Sequence, residues 1–166
     1  MPKNSAQIEY LEKDHNDLEF IRPLWQKLNQ HHRAVSKYYK DSRTATTFDM
    51  RKKQLLEKSR QGALHIDLAR DTNTEEYIGY CVTTINPEKQ GEIESLFIEK
   101  DHRGMGIGDN LMVRALSWLK TMSVQKTILG VAEGNEGVFS FYRRYNFYPR
   151  VTILWQKTDS EPKEHL

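Results

Sequence analysis

One short segment constrains this 166-residue chain more than any other, because it joins a hydrophobic strand to a helix through a glycine-rich turn. From Leu96 to Gly108 it runs LFIEKDHRGMGIG. Backbone amides at the start of a helix have no helical acceptor, and glycines let a ligand approach them closely. Such a turn binds phosphate, assisted by the helix dipole. The segment therefore predicts an anion site at the amides of Arg103 to Gly108, with the Arg103 guanidinium as a further donor.

The spacing of the glycines excludes two common nucleotide-binding patterns. Counted from Gly104, the Walker pattern requires a glycine five residues on, followed by a lysine, and this chain has Asp109 at that position. The dinucleotide pattern requires a third glycine where the chain has Asp109 or Leu111, depending on the glycine from which the count begins. A nucleotide-binding oxidoreductase is therefore disfavoured, and the pattern that remains is Arg-x-x-Gly-x-Gly, from Arg103 to Gly108.

A second segment begins a predicted helix, 135–145, with an Asn and places Tyr142 seven residues after it. Seven residues are two helical turns, which puts Asn135 and Tyr142 on one face. Together with the Arg-x-x-Gly-x-Gly loop, this segment resembles the GNAT superfamily of acetyl-CoA-dependent N-acetyltransferases. The resemblance covers Glu92 to Phe147. Asn146 replaces the family's usual glycine there, and Asn tolerates the left-handed conformation that follows a helix.

The resemblance implies an α/β fold with a mixed sheet of six to seven mostly antiparallel strands and helices on both faces. Its two central strands, expected here at Glu92–Glu99 and Thr127–Ala132, splay apart and admit the cofactor. It also implies one acetyltransferase domain over residues 1–158, and we expect residues 159–166 to form a frayed tail. The length agrees with this, because about 100 to 200 residues is typical of one domain.

Hydrophobic periodicity outlines the other strands. A short first strand is predicted at Ile8 to Leu11. Alternation from Ala63 to Ala69 predicts a half-buried strand, which forms an antiparallel hairpin with Tyr77 to Ile85. A last strand is predicted at Val151 to Trp155.

Two helices are predicted in the first half of the chain. Asp14 caps the first, and Pro23 is expected to kink or split it. The second runs from Phe48 to Arg60, has Met50 among its apolar contacts and ends at Gly62. We expect its basic residues to lie on a solvated face: Arg51, Lys52, Lys53, Lys58 and Arg60.

By this resemblance, the cofactor site has two parts. The glycine-rich loop cradles the pyrophosphate of coenzyme A. The strand before the loop offers backbone amides that pair with pantetheine as an added strand would, and that stabilise a developing oxyanion. The predicted cofactor-binding residues are Leu96, Phe97, Ile98, Arg103, Gly104, Met105, Gly106, Ile107, Gly108 and Asn135.

Acetyl transfer to an amine requires loss of a proton, because a lysine-like amine titrates near 10.4 and is protonated at neutral pH. Glu94 matches the strand position where many family members place a base, and strict alternation puts it on one face with Leu96 and Ile98. Glu92 is the alternative, and either carboxylate acts directly or through a water. Tyr142 is the expected proton donor to the departing thiolate.

Charge and cysteine content limit the remaining function classes. There are 25 Lys and Arg against 23 Asp and Glu, and a net charge of +2 argues against general binding of nucleic acid or membranes. We expect positive potential around Arg103, and an acidic amine entrance to which Glu92 and Glu94 contribute. The single cysteine, Cys81, excludes an intramolecular disulfide, and we expect no metal. Without a signal-peptide or membrane-span pattern, a cytoplasmic location is expected.

The resemblance and these residues together predict an acyltransferase that moves acetyl from acetyl-CoA directly to a primary amine, most simply that of a small molecule. Two alternatives stay open: a protein or peptide N-acetyltransferase, and a non-catalytic coenzyme A sensor or interaction module. A homodimer is compatible with each of these functions. The sequence leaves open which amine is the acceptor and whether acyl groups other than acetyl are used.

Overall fold

The computed structural model describes residues 7–40 and 46–157. Its strands are β1 (Ile8–Lys13), β2 (Ala63–Asp71), β3 (Glu76–Ile85), β4 (Gln90–Ile98) and β5 (Lys126–Leu129). They form one sheet in chain order, in which β1 to β4 pair antiparallel and β5 runs parallel to β4. The predicted α/β class with a mixed sheet is confirmed, with five strands in the described residues instead of six or seven.

In the described part of the chain, four α-helices and three short 3-10 helices accompany the sheet. The α-helices are α1 (Arg22–Val35), α2 (Phe48–Gln61), α3 (Ile107–Thr121) and α4 (Phe139–Arg143). The 3-10 helices are His15–Ile21, Lys100–His102 and Glu136–Val138. Within the described residues, none of these helices has both the length and the apolar character that a membrane span requires.

The described residues form two compact units. The first contains the chain up to Leu28 and from Thr47 to Gly130, and therefore the whole sheet with α2 and α3. The second contains the described residues between positions 29 and 46 and the chain from Val131 onward. The predicted tail, residues 159–166, lies outside the described residues.

The first helical segment starts and divides as predicted. The Asp14 carboxylate accepts a hydrogen bond from the Asn16 amide at 2.8 Å and caps the 3-10 helix. Pro23 is the second residue of α1, a position whose amide has no helical acceptor. The proline therefore lies where the 3-10 helix gives way to the α-helix.

Helices cover both faces of the sheet in the first unit. On one face, Leu64, Ile66 and Leu68 of β2 pack against the first helical segment and α2. On the other face His65 of β2 stacks on Trp118 of α3, with ring centroids 4.9 Å apart. The prediction of a half-buried β2 was wrong, because α3 covers the face on which the polar residues of β2 lie.

Gly62 ends α2 as predicted, although the requirement is steric. A Cβ at this position would lie 1.8 Å from the Ile85 carbonyl oxygen, so the backbones approach too closely for a side chain. Phe48 and Leu55 are the buried residues of α2, and Met50 is 51% exposed, contrary to the prediction. Two residues correspond to about 200° around a helix, so Met50 lies opposite the face that Phe48 buries.

The second unit departs from the predicted pattern in two places. The single helix predicted over 135–145 is divided into the 3-10 helix Glu136–Val138 and the short α4. The strand predicted at Val151 to Trp155 was wrong: these residues form no strand, since none pairs with them among the described residues, and Leu154 is 90% exposed. Asn146 does adopt the expected left-handed conformation, with φ of 63°.

Candidate active site

The glycine-rich loop lies between β4 and α3 in the first unit. Gly104 and Gly106 have φ values of 78° and 77°, a conformation that other residues rarely adopt. A Cβ added to either would meet no atom within 4 Å, so the space beside them is open to a ligand. The helical hydrogen bonds begin from the Asn110 amide to the Gly106 carbonyl, so the amides of Ile107 and Gly108 precede them. This geometry fits a phosphate group.

Arg103 lies at the entrance of this loop and is held over the end of β4. Its Nε donates to the Ile98 carbonyl oxygen at 3.0 Å, and its guanidinium carbon lies 5.6 Å from the centre of the Phe97 ring. No carboxylate lies within ion-pair distance of Arg103 among the residues described. Its charge is therefore unneutralised beside the open space at Gly104 and Gly106. Met105, between those glycines, is 46% exposed.

The carboxyl-terminal half of β4 has an unpaired edge. β5 pairs with β4 from Gln90 opposite Lys126 only as far as Ile93 opposite Leu129. β4 continues to Ile98 and remains paired with β3, so residues 94–98 have no β5 partner within the described chain. This stretch contains the predicted Leu96, Phe97 and Ile98, and its free edge can pair with an extended ligand.

A β-bulge interrupts β4 at Glu94. Val82 of β3 lies opposite Ser95 and the next residue, Thr83, lies opposite Ile93, which leaves Glu94 as the additional residue. A bulge displaces the strict alternation of side chains, and bulges occur often beside active sites.

The bulge overturns one predicted relationship. Glu94 lies on the α2 side of the sheet, as does Phe97, which belongs to the core cluster there. Ile98 lies instead beside Ile107 of α3, since both border Gly79. The prediction that Glu94 shares a face with Leu96 and Ile98 was therefore wrong.

Glu94 is the centre of a buried ion cluster. Its side chain is 2% exposed and accepts hydrogen bonds from Arg51 Nη2 at 2.8 Å, Lys58 Nζ at 2.5 Å and Thr84 Oγ1 at 2.5 Å. Lys58 Nζ also lies 2.8 Å from the Glu92 carboxylate and so bridges the two predicted candidate bases.

The protonation states in this cluster follow from its contacts. Burial raises the pKa of Glu94, but hydrogen bonds from Lys58 and Thr84 and the charges of Arg51 and Lys58 outweigh burial and hold that pKa below its usual value. Burial lowers the pKa of Lys58, and its hydrogen bonds to Glu92 and Glu94 more than reverse this. At neutral pH Glu94 is therefore an ionised carboxylate and Lys58 an ammonium group.

Arg51 and Lys58 are site residues that sequence reasoning missed. They were expected on a solvated face of α2, yet both pair with the carboxylates of β4. Their spacing of seven residues, which is two helical turns, was the available signal that they share a face. Because they neutralise Glu92 and Glu94, these carboxylates do not add the net acidic charge expected at the amine entrance.

In the second unit, Asn135 is held by a side chain of α1. Its Oδ1 lies 3.1 Å from His31 Nε2. Two residues earlier, the Glu133 carboxylate accepts from Ser36 Oγ at 2.6 Å and from the Lys37 amide at 2.9 Å. These contacts fix the segment that precedes the 3-10 helix Glu136–Val138.

Tyr142 lies in α4, also in the second unit, and is partly buried. Its ring meets Phe141 at a centroid distance of 5.2 Å and Phe147 at 6.3 Å, both edge to face. Such pairs orient aromatic rings. The Tyr142 carbonyl also accepts from the amides of Tyr145 and Phe147, so the backbone at the end of this helix is fixed.

Comparison with known proteins agrees with these features. Residues 22–147 match the sequence model of the acetyltransferase (GNAT) family. A curated relative, an uncharacterized N-acetyltransferase of Methanocaldococcus jannaschii, is 32% identical over 72 residues, which cover 43% of this chain and 32% of that protein. The match thus spans about a third of the length of that relative.

Solved structures of low sequence identity share the fold. A GCN5-related N-acetyltransferase from Ralstonia eutropha superposes with a TM-score of 0.71 at 17% identity, covering 91% of this chain and 99% of that one. The aminoglycoside N-acetyltransferase AAC(6')-Iy, solved in complex with CoA, gives 0.63 at 14% identity, covering 96% and 99%. Since the family model matches most of the chain, this protein belongs to the acetyltransferase (GNAT) family.

Proposed function

We propose that this acetyltransferase transfers acetyl from acetyl-CoA directly to the primary amine of a small molecule, with residues 1–158 acting as one catalytic domain. The observation that carries the proposal is the unpaired β4 edge, residues 94–98, which leads through Arg103 to the open glycine-rich loop. An extended pantetheine arm can pair with such an edge, and a pyrophosphate fits such a loop.

The residues proposed to hold the co-substrate divide between backbone and side-chain donors. Leu96, Phe97 and Ile98 offer main-chain groups, and the loop from Arg103 to Gly108 offers amides and one guanidinium. Asn135 is a further proposed cofactor-binding residue, and His31 supports the orientation of its side chain. Arg103 adds an unneutralised charge, which favours a pyrophosphate over a neutral ligand.

When bound, acetyl-CoA supplies an activated thioester. The residues of this chain then have to remove a proton from the amine and donate a proton to the sulfur. An N–C bond forms as the C–S bond breaks; the amine gives up a proton and the sulfur accepts one. We assign the donation to the Tyr142 hydroxyl, since its ring is oriented by Phe141 and Phe147. A tyrosine titrates near 10 and a thiol near 8.5, so a tyrosine does not protonate a thiolate readily in water. Donation to the thiolate therefore requires that the hydroxyl is well placed beside the sulfur.

Proton removal from the amine is assigned to the two carboxylates of β4. Glu94 is the carboxylate that the sequence favoured as the base, but its lone pairs are engaged by Arg51, Lys58 and Thr84. Glu92 is 33% exposed and has one ion-pair partner within the described chain, Lys58, so it is the more accessible acceptor. We therefore propose that the proton leaves through a water to Glu92, while Glu94 fixes the position of Lys58.

Direct transfer, without an acyl-enzyme, is supported by the state of Cys81. Burial raises the pKa of its thiol to about 12, and the side chain is fully buried. Thiolates, and not thiols, are the nucleophiles, so Cys81 is unsuited to carry an acetyl group. A free, buried cysteine also accords with the cytoplasmic location that we propose.

The proposed acceptor is a small amine that also carries a negative group, such as an amino-acid-like metabolite. The cluster on the α2 side of β4 presents an ammonium group and carboxylates within a few ångströms, and Lys58 is 39% exposed. A zwitterionic acceptor would find partners there for both of its charges.

The experiment is an acceptor panel of amino acids, diamines, aminoglycosides and peptides with free amino termini, incubated with acetyl-CoA. Mass spectrometry identifies acetylated products. Turnover of small amines exceeding that of every peptide is expected. Turnover of peptides alone would show a protein or peptide acetyltransferase instead, and acetyl-CoA binding without turnover of any amine would favour the non-catalytic sensor.

A further inference from the structure

A second group of chemistry-bearing side chains lies in the first unit on the α3 side of the sheet. Glu12 of β1 and His65 and Asp67 of β2 each direct one oxygen or nitrogen atom into a space where these atoms all lie within 4.8 Å of one another. Glu12 pairs directly with Asp67 across the two strands, and His65 precedes Asp67 by two residues on the same face. Pairing and alternation therefore bring the three side chains together.

Asp67 is the unusual member of this group. It is completely buried, and neither of its carboxylate oxygens has a hydrogen-bond partner. A buried carboxylate without partners is costly, and buried charges in proteins are normally paired or coordinate a metal. The proximity of His65 does not remove this cost, because its Nε2 lies 3.2 Å from Asp67 Oδ2 without the geometry of a hydrogen bond.

The separation of the His65 and Asp67 donor atoms fits a metal. Two ligands at about 2.0–2.1 Å from a tetrahedral zinc ion lie roughly 3.3–3.4 Å apart. The 3.2 Å between His65 Nε2 and Asp67 Oδ2 is close to that value. One imidazole and two carboxylates form a donor set suited to a first-row divalent cation such as Zn²⁺, with water as a fourth ligand.

Surrounding residues favour this placement. The His65 ring is held by stacking on Trp118, whose ring plane lies within 12° of it, so its Nε2 is directed by packing. Glu12 is 70% exposed at its side chain and provides a route of entry from solvent. Arg114 approaches Glu12 only to 4.0 Å, which leaves that carboxylate free to turn towards a cation.

We propose that Glu12, His65 and Asp67 form a binding site for a divalent transition-metal cation that ties β1 to β2 beneath α3. The site is separate from the glycine-rich loop and from the Glu94 cluster, and it does not depend on the proposed acetyl transfer. It runs against the sequence-based expectation of no metal, because the three residues are brought together only by the pairing of β1 with β2.

The test measures metal binding and stability on the full-length protein. After treatment with EDTA and dialysis, calorimetric titration with Zn²⁺ and the thermal melting temperature with and without Zn²⁺ are compared for the wild type and three variants. Glu12→Gln removes the exposed ligand with little risk to folding. Asp67→Asn removes the buried one, and Glu9→Gln is the control, since Glu9 is also on β1 but pairs with Arg70.

The wild type and Glu9→Gln are expected to bind about one Zn²⁺ per chain, with Tm raised by roughly 5–10 °C at 100-fold excess over Kd. Glu12→Gln should bind at least 10-fold more weakly. Asp67→Asn should lose the Tm gain while melting no lower than the metal-free wild type, because it replaces a buried carboxylate that has no hydrogen-bond partner. No Zn²⁺-dependent Tm gain in the wild type would overturn the proposal. An equal gain in Glu12→Gln and Asp67→Asn would also overturn it, because the metal would then bind elsewhere.

Discussion

Lys58 extends its ammonium group from α2 to within 2.5 Å of the Glu94 carboxylate, at the bulge of β4. The carboxylate is 2% exposed, so this contact lies in a region of low solvent screening. Arg51, two turns before Lys58 on α2, reaches the other oxygen of the same carboxylate at 2.8 Å. The conformation of β4 beside the unpaired edge is thus tied to α2 through charge.

Replacing Glu94 with Gln should lower the free energy of unfolding at pH 7 by about 2 kcal/mol, because Arg51 and Lys58 lose their shared carboxylate. Folding lowers the pKa of Glu94, so its stabilisation is present above the unfolded-state pKa, near 4.3, and disappears as the pH falls through the lower folded-state pKa. Urea unfolding of wild type and variant at pH 7 and at about pH 3 measures this; the difference should shrink in acid. Glu92→Gln, at a more exposed position, should lower the free energy of unfolding by less. A stability difference between wild type and Glu94→Gln that does not change with pH would contradict this account.

Replacing Gly106 with Val or Asn should weaken acetyl-CoA binding at least 10-fold, because either side chain occupies the open space beside the loop amides. Asn tolerates the left-handed φ of 77° better than Val, so Gly106→Asn should bind poorly while melting near the wild type. Isothermal titration with acetyl-CoA and thermal melting separate the two effects. Gly137→Ala is the control, since its Cβ also meets open space. Unchanged affinity in Gly106→Asn would refute the placement of the pyrophosphate.

Removing the Tyr142 hydroxyl with Phe should lower kcat roughly 100-fold, because the departing thiolate loses its proton donor. The ring contacts with Phe141 and Phe147 remain, so Tm and acetyl-CoA affinity should stay near wild type. Tyr145→Phe, at the end of the same helical segment, is the matched control and should retain activity. Steady-state kinetics on the best acceptor decide the point, and a wild-type kcat in Tyr142→Phe would remove this residue from the mechanism.

Introducing a methyl group at Gly62 should destabilise the protein by about 3 kcal/mol or more. The added Cβ would lie 1.8 Å from the Ile85 carbonyl oxygen, which is backbone and cannot rotate away. Chemical denaturation of Gly62→Ala against Gly137→Ala measures the effect. Equal stability of the two variants would show that the end of α2 relaxes freely away from β3.

The order of β2 to β4 and of α1 to α3 followed from periodicity, because each of these strands and helices buries apolar residues. The glycine-rich loop was predictable from local chemistry alone, since φ near +78° at Gly104 and Gly106 favours glycine wherever the loop lies. The face of Glu94 was not predictable, because a bulge depends on how β3 and β4 pair and leaves no mark in alternation. The strand predicted at Val151 to Trp155 failed for a related reason, since β-branched composition does not supply a pairing partner.

The Glu94 cluster and the proposed metal site could not be predicted from the sequence, because both are formed by contacts between elements far apart in sequence. Lys58 and Glu94 are 36 residues apart, so only tertiary packing shows that the basic face of α2 is engaged by carboxylates. The direct pairing of Glu12 with Asp67 likewise depends on the register of β1 on β2. The loop and the family were therefore predictable from the sequence, whereas Arg51 and Lys58, the partners of the candidate base Glu94, were not.

The central claim, direct acetyl transfer to an amine, is tested most directly by following free thiol released from acetyl-CoA with and without the best acceptor from the panel. We predict thiol release that requires the acceptor, equals the acetylated amine formed, and falls with Gly106→Asn. Thiol release at the same rate without any amine, or acetyl-CoA binding with no release in the presence of every amine tested, would contradict it.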